Sequence, residues 1–98
     1  MASFEEVVAT MSQRVGTLKS FGKKIKFSLD GDTFVIDGTA NPPSVSTGDG
    51  PADTTVAVTL EDFAKLMDKK LNPMIAFSSG KVRLTGDLKG ATALQKIF

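Results

Sequence analysis

The chain has 98 residues, 41% of them hydrophobic and 23% charged, which suits one small domain spanning 1–98 with a limited core. It contains no Cys and no His, so thiolate nucleophiles, Ser-His-Asp and Cys-His sites, imidazole or thiolate zinc, haem on either ligand and iron–sulfur clusters are excluded. Twelve basic against eleven acidic residues leave a net charge of +1, and with no Trp or Tyr to interleave with a basic strand, no nucleic-acid partner is expected.

Ser3-Phe4-Glu5-Glu6 opens with a capping-box pattern, and Phe4, Val7, Val8, Met11, Val15 and Leu18 recur at helical spacing, predicting a helix within 3–21 that Gly22 stops. The opening segment is acidic where a signal peptide is basic, and no apolar run approaches the ~18 residues of a membrane span, so a cytoplasmic location is expected. From Lys23 the period becomes two. Ile25, Phe27 and Leu29, the turn Asp30-Gly31-Asp32, then Phe34 and Ile36 predict a hairpin. Residues 38–53 are rich in Gly, Pro, Ser and Asp, so a strand near Val45 can only be a short edge strand.

Asp53 to Thr59 reads as a further strand running into Thr59-Leu60-Glu61-Asp62, a helix cap with acids in the first turn. Leu60, Phe63, Ala64, Met67 and Leu71 share one face of that helix. Asn72-Pro73 starts a short helix ended by Ser79-Gly80, Lys81 to Thr85 forms a strand, and Asp87 caps a last helix to Phe98. This order of elements predicts one sheet whose apolar face is covered by helices.

Catalytic material is scarce. Glu5-Glu6 and Glu61-Asp62 sit where the helix dipole favours negative charge, and Asp30/Asp32 belong to a turn. Asp30-x-Asp32 lacks the other ligands of a calcium loop, and no glycine-rich cradle precedes Gly80-Lys81. No catalytic residue, metal or cofactor is expected, and the chain is read as no enzyme.

Leu71-Asn72-Pro73-Met74-Ile75-Ala76-Phe77, then Gly80 to Asp87, then Ala91 and Leu94-Gln95, resemble the sterol carrier protein type 2 domain in order and spacing. The similarity extends back through Phe63 to Met67 and Ala52 to Thr55, and by element order through the first half. The resemblance implies an α+β fold: a single five-stranded mixed sheet with helices covering one face and enclosing an apolar tunnel. It also implies non-catalytic binding or transfer of a fatty acid, fatty acyl-CoA or sterol. The chain stops soon after Leu94-Gln95 without the peroxisomal signal many eukaryotic members carry, which points to a free-standing bacterial-type member and an acyl ligand.

The resemblance, joined to apolar placement, gives an expected lipid-binding set of Phe63, Met67, Leu71, Met74, Phe77, Val82, Leu84, Leu94, Gln95 and Phe98. Gln95 falls in the apolar stripe of the last helix and must be frayed into solvent, bonded to backbone, or turned to a ligand's polar group. An empty rigid cavity of ~300 Å³ costs on the order of 7 kcal/mol, so the unliganded domain must partly collapse or admit water. The expected partners are the lipid and, transiently, a membrane, with the protein a monomer. The competing reading is a protein-interaction module with a closed core and no lipid, since core and tunnel residues have the same composition.

Overall fold

The structure, a computed structural model, describes residues 3–97, apart from the side chains of Ala91 and Gln95. In chain order these form α1 (Phe4–Val15), β1 (Lys24–Leu29), β2 (Asp32–Asp37), β3 (Ser44–Thr47), β4 (Thr54–Val58), α2 (Leu60–Met67), α3 (Pro73–Ser78), β5 (Arg83–Gly86) and α4 (Gly90–Ile97). The strands make one sheet in the order β3-β2-β1-β4-β5. Only β1 and β4 run parallel, so the sheet is mixed and the fold is α+β, as expected. The weak strand around Val45 takes an edge, where few backbone groups depend on its pairing.

Period-two patterning sets the inward face. Ile25, Phe27 and Leu29 of β1 are buried with Phe34 and Ile36 of β2 and Val56 and Val58 of β4. Phe27 pairs in register with Phe34 on one side and Val56 on the other. The rings of Phe27 and Phe34 stack at 5.0 Å, and Phe63 from α2 meets Phe27 edge-on at 5.3 Å. Asp30 and Gly31 both hold positive φ, as a two-residue hairpin loop twisted with its strands requires.

α1 begins where the capping pattern places it. The Glu6 amide donates to Ser3 Oγ at 3.2 Å, and the Ser3 hydroxyl in turn donates to the Glu6 carboxylate at 3.4 Å. The helix ends at Val15 rather than running toward Phe21. Gly16 caps it, and the Thr17 hydroxyl donates to the Arg14 carbonyl at 2.9 Å, satisfying an acceptor the helix leaves open. The chain then crosses to the sheet, where the amides of Phe21 and Gly22 both donate to the Gly38 carbonyl at 2.9 Å. A Cβ at Gly38 would strike the Phe21 ring and the Lys23 carbonyl, so this crossing needs glycine.

Two further boundaries differ from expectation. α2 stops at Met67 because Lys69 takes a left-handed conformation and the amides of Lys70 and Leu71 both turn back to the Lys65 carbonyl, which carries Leu71 off the helix. α4 starts at Gly90, two residues later than a cap at Asp87 would place it. Asp87 instead accepts from the Lys89 amide at 2.9 Å and pairs with Lys23 Nζ at 2.8 Å, fixing the turn before the helix.

Candidate functional site

The turn between α2 and α3 leaves a crevice of about 600 Å³ lined by Leu66, Lys69, Lys70, Leu71, Asn72, Pro73 and Ile75. Local sequence explains its shape. The left-handed Lys69 ends α2, and Asn72 Oδ1 accepts from the amides of Met74 at 2.8 Å and Ile75 at 3.4 Å, with Pro73 in the first turn, so α3 begins at once. Leu66, buried in the core, forms the floor, and Leu71 is half-buried beside it. The exposed Lys69 and Lys70 stand at the rim, and among the described residues no carboxylate lines the crevice. Apolar walls with two ammonium groups at the mouth suit a hydrocarbon chain with an anionic end.

Two other clefts have a different character. One of about 230 Å³ lies between α1 and α2 and is lined by residues that include Glu6, Arg14, Met67 and Asp68. Arg14 crosses it, donating to the carbonyls of Ile97 and Met67 at 3.4 Å each. The other, about 300 Å³, is bordered by the β3 end and by Lys24, Asp37 and Asp49, and only Val35 and Pro51 give it apolar wall.

The residues expected to line a ligand separate into groups. Phe63 and Val82 are buried in the core. Met67, Leu71, Leu84 and Leu94 are half-buried against it, with Leu71 on the large crevice and Met67 on the cleft beside α1. Met74 and Phe77 depart from the interior position expected of them: they are 69% and 50% exposed. The reason is the rotation of α3, which buries Ala76 completely and thereby turns Met74, Ile75 and Phe77 outward. The Gln95 side chain and Phe98 lie outside the described residues.

Sequence reasoning misses Leu66, Lys69, Lys70 and Ile75. The inward side of α2 runs through Phe63 and Leu66, an i,i+3 pair, so a face centred on Met67 and Leu71 is turned too far round the axis. The acidic pairs lie where the sequence places them: Glu5, Glu6, Glu61 and Asp62 are in first helical turns, and Asp30, in the hairpin turn, accepts through Oδ2 from the Leu60 amide at 3.0 Å. Among the described residues no three acids gather as a metal site.

These features define a small α+β domain that keeps a ligand-sized apolar crevice against its core. The SCP-2 sterol transfer family matches residues 4–98, and the chain belongs to that family. Human sterol carrier protein 2 is 33% identical over 96 residues, covering 95% of this chain and 17% of that protein. Human hydroxysteroid dehydrogenase-like protein 2 is 34% identical over 71 residues, covering 70% and 17%. The chain therefore spans about a sixth of the length of these relatives.

Among solved structures, sterol carrier protein 2 like 2 of Aedes aegypti superposes with a TM-score of 0.81 at 25% identity, covering 96% of this chain and 94% of that one. A palmitated form of the mosquito protein gives 0.83 at 24% identity, covering 98% and 94%. The sec-alkylsulfatase Pisa1 from Pseudomonas sp. gives 0.73 at 18%, covering 98% of this chain but 16% of that one, so the fold also occurs as part of a larger protein that is named as an enzyme. Among the described residues no helix is long and apolar enough to cross a membrane.

Proposed function

We propose that the chain is a non-catalytic carrier holding one long-chain acyl lipid, a fatty acid or acyl-CoA rather than a sterol, between α3 and the core, with the anionic end at Lys69 and Lys70. The α2–α3 crevice carries this reading, because it joins ligand-sized volume, apolar walls and positive charge at one mouth. Belonging to the SCP-2 family supports it, as does the palmitated mosquito relative of the same fold. A monomeric, cytoplasmic protein is part of the same proposal.

The packing on that side favours entry. Ala76 is the one buried residue of α3, so on this reading α3 moves outward to admit the chain toward Phe63, Val82, Leu84 and Leu94, in and against the core cluster. A core that closes on itself when empty also avoids the cost of a standing cavity. The test is competition with a fluorescent fatty acid. Palmitate should displace it, and saturation should raise the melting temperature by an amount equivalent to about 2.7 kcal/mol at a hundredfold excess over Kd. The Lys69→Gln, Lys70→Gln double variant should weaken palmitate several-fold and leave hexadecanol unchanged. If palmitate neither displaces the probe nor shifts melting, the chain is not an acyl carrier.

A further inference from the structure

Three of the four large hydrophobic side chains exposed among the described residues, Met74, Ile75 and Phe77, lie on the one short helix α3, which turns them outward while only Ala76 points in. A helix packed on a domain core ordinarily does the reverse. The same stretch holds a local excess of positive charge. From Lys65 to Arg83 there are five basic residues against one acid, Asp68, in a chain whose net charge is only +1. Lys69 and Lys70 share a crevice with Ile75 just before α3, and Lys81 follows it, its amide bonded to the Ala76 carbonyl at 2.9 Å. All three lysines are exposed, and among the described residues none of the three forms an ion pair.

We propose that α3 and its flanking lysines form a docking surface for a membrane rich in anionic lipid, with Met74, Ile75 and Phe77 entering the headgroup region and Lys69, Lys70 and Lys81 meeting the phosphates. Charge complementarity selects this occupant. Lysine is depleted at protein interfaces, where Tyr, Trp and Arg supply the anchors, whereas apolar side chains ringed by lysine are the pattern of attachment to an anionic bilayer. Neighbouring lysines at the mouth of the α2–α3 crevice place the docked bilayer beside the proposed route of lipid exchange. The docking itself stands on the surface alone.

The chain has no Trp, so Phe77→Trp provides a single fluorescent reporter on the surface. Vesicles of phosphatidylcholine with about a third phosphatidylserine should shift its emission to the blue, and about 0.5 M salt should reverse the shift. Replacing Lys69 and Lys81 by Gln in that background should weaken vesicle binding about fivefold for each lysine. Leu88→Trp, another exposed position but at the far end of β5, should show no shift. The proposal is overturned if the emission of the Phe77→Trp variant is unmoved by anionic vesicles, if pure phosphatidylcholine moves it equally, or if it moves with protein concentration alone, which identifies a second copy as the occupant. Palmitate displacement by the wild-type protein is read separately: its failure removes the carrier reading and leaves the docking result standing, and the converse holds.

Discussion

Phe63 links the helical layer to the sheet. Its ring lies edge-on to Phe27 and to Phe34, so truncation would open a void between layers that the β-sheet side cannot collapse to fill. Phe63→Ala should destabilise the fold by about 3–5 kcal/mol, measured as a lower urea midpoint at unchanged m-value. A loss under about 1 kcal/mol would mean that the layers close over the gap. The Lys23–Asp87 pair acts at the other end of the sheet, in part exposure. A hydrogen bond from Lys23, reinforced by the Lys89 amide, holds the Asp87 carboxyl below its ordinary pKa, and the Asp87 carboxylate raises that of Lys23. A depressed acid stabilises the fold above its unfolded pKa of about 3.9 and loses that contribution as pH falls through the folded value. The melting-temperature gap between wild type and Asp87→Asn should therefore be constant near neutrality and close as the pH drops below about 4, and again as Lys23 discharges above about pH 10.4. A gap that stays the same down to acid pH would show that Asp87 acts through shape and not charge.

At the scale of elements, α2 is fixed at its start by two caps from different parts of the chain. Thr59 Oγ1 accepts from the Asp62 amide at 3.1 Å, and Asp30, distant in sequence but adjacent in space, accepts from the Leu60 amide. Thr59→Ala should cost about 1 kcal/mol of stability, seen as a shift in urea midpoint, because the Asp30 contact satisfies a different amide and cannot replace it. The Thr59 cap is legible in the sequence, because Thr followed by acids before an apolar run states its own chemistry. The Asp30 cap is not, since it depends on the parallel placement of β4 beside β1, which carries the hairpin turn to the start of α2. The same distinction runs through the fold. The β1–β2 hairpin and the Asn72-Pro73 start of α3 follow from adjacent residues. The crossing after α1 depends on Gly38, and the outward turn of Met74 and Phe77 depends on which side of a six-residue helix finds room against the core. The crevice is the least legible of all, because a left-handed Lys69 gives no sign of itself in composition or period.

Across the whole molecule, packing is uneven. The α1, β1, β2, β4 and α2 elements share the phenylalanine cluster and its aliphatic surround, whereas α3, β5 and α4 and the turns between them contribute mainly Ala76, Val82, Ala93 and Ile97. β5 itself is a four-residue strand joined only to β4, with no buried residue of its own. Such a segment should open without unfolding the rest. Amide hydrogen exchange should accordingly divide in two, with residues 73–97 exchanging through an opening of lower free energy than the amides of β1 and β2, and uniform protection across both would refute the division. Saturating palmitate should slow the fast set most. The single parallel pairing of β1 with β4 thus has a kinetic consequence: docking β4 requires the intervening hairpin and loop to be closed, and β5 pairs with β4 alone, so this side of the sheet should form late in refolding, and on the proposed carrier reading the late-forming segment is the one that gives way to the acyl chain.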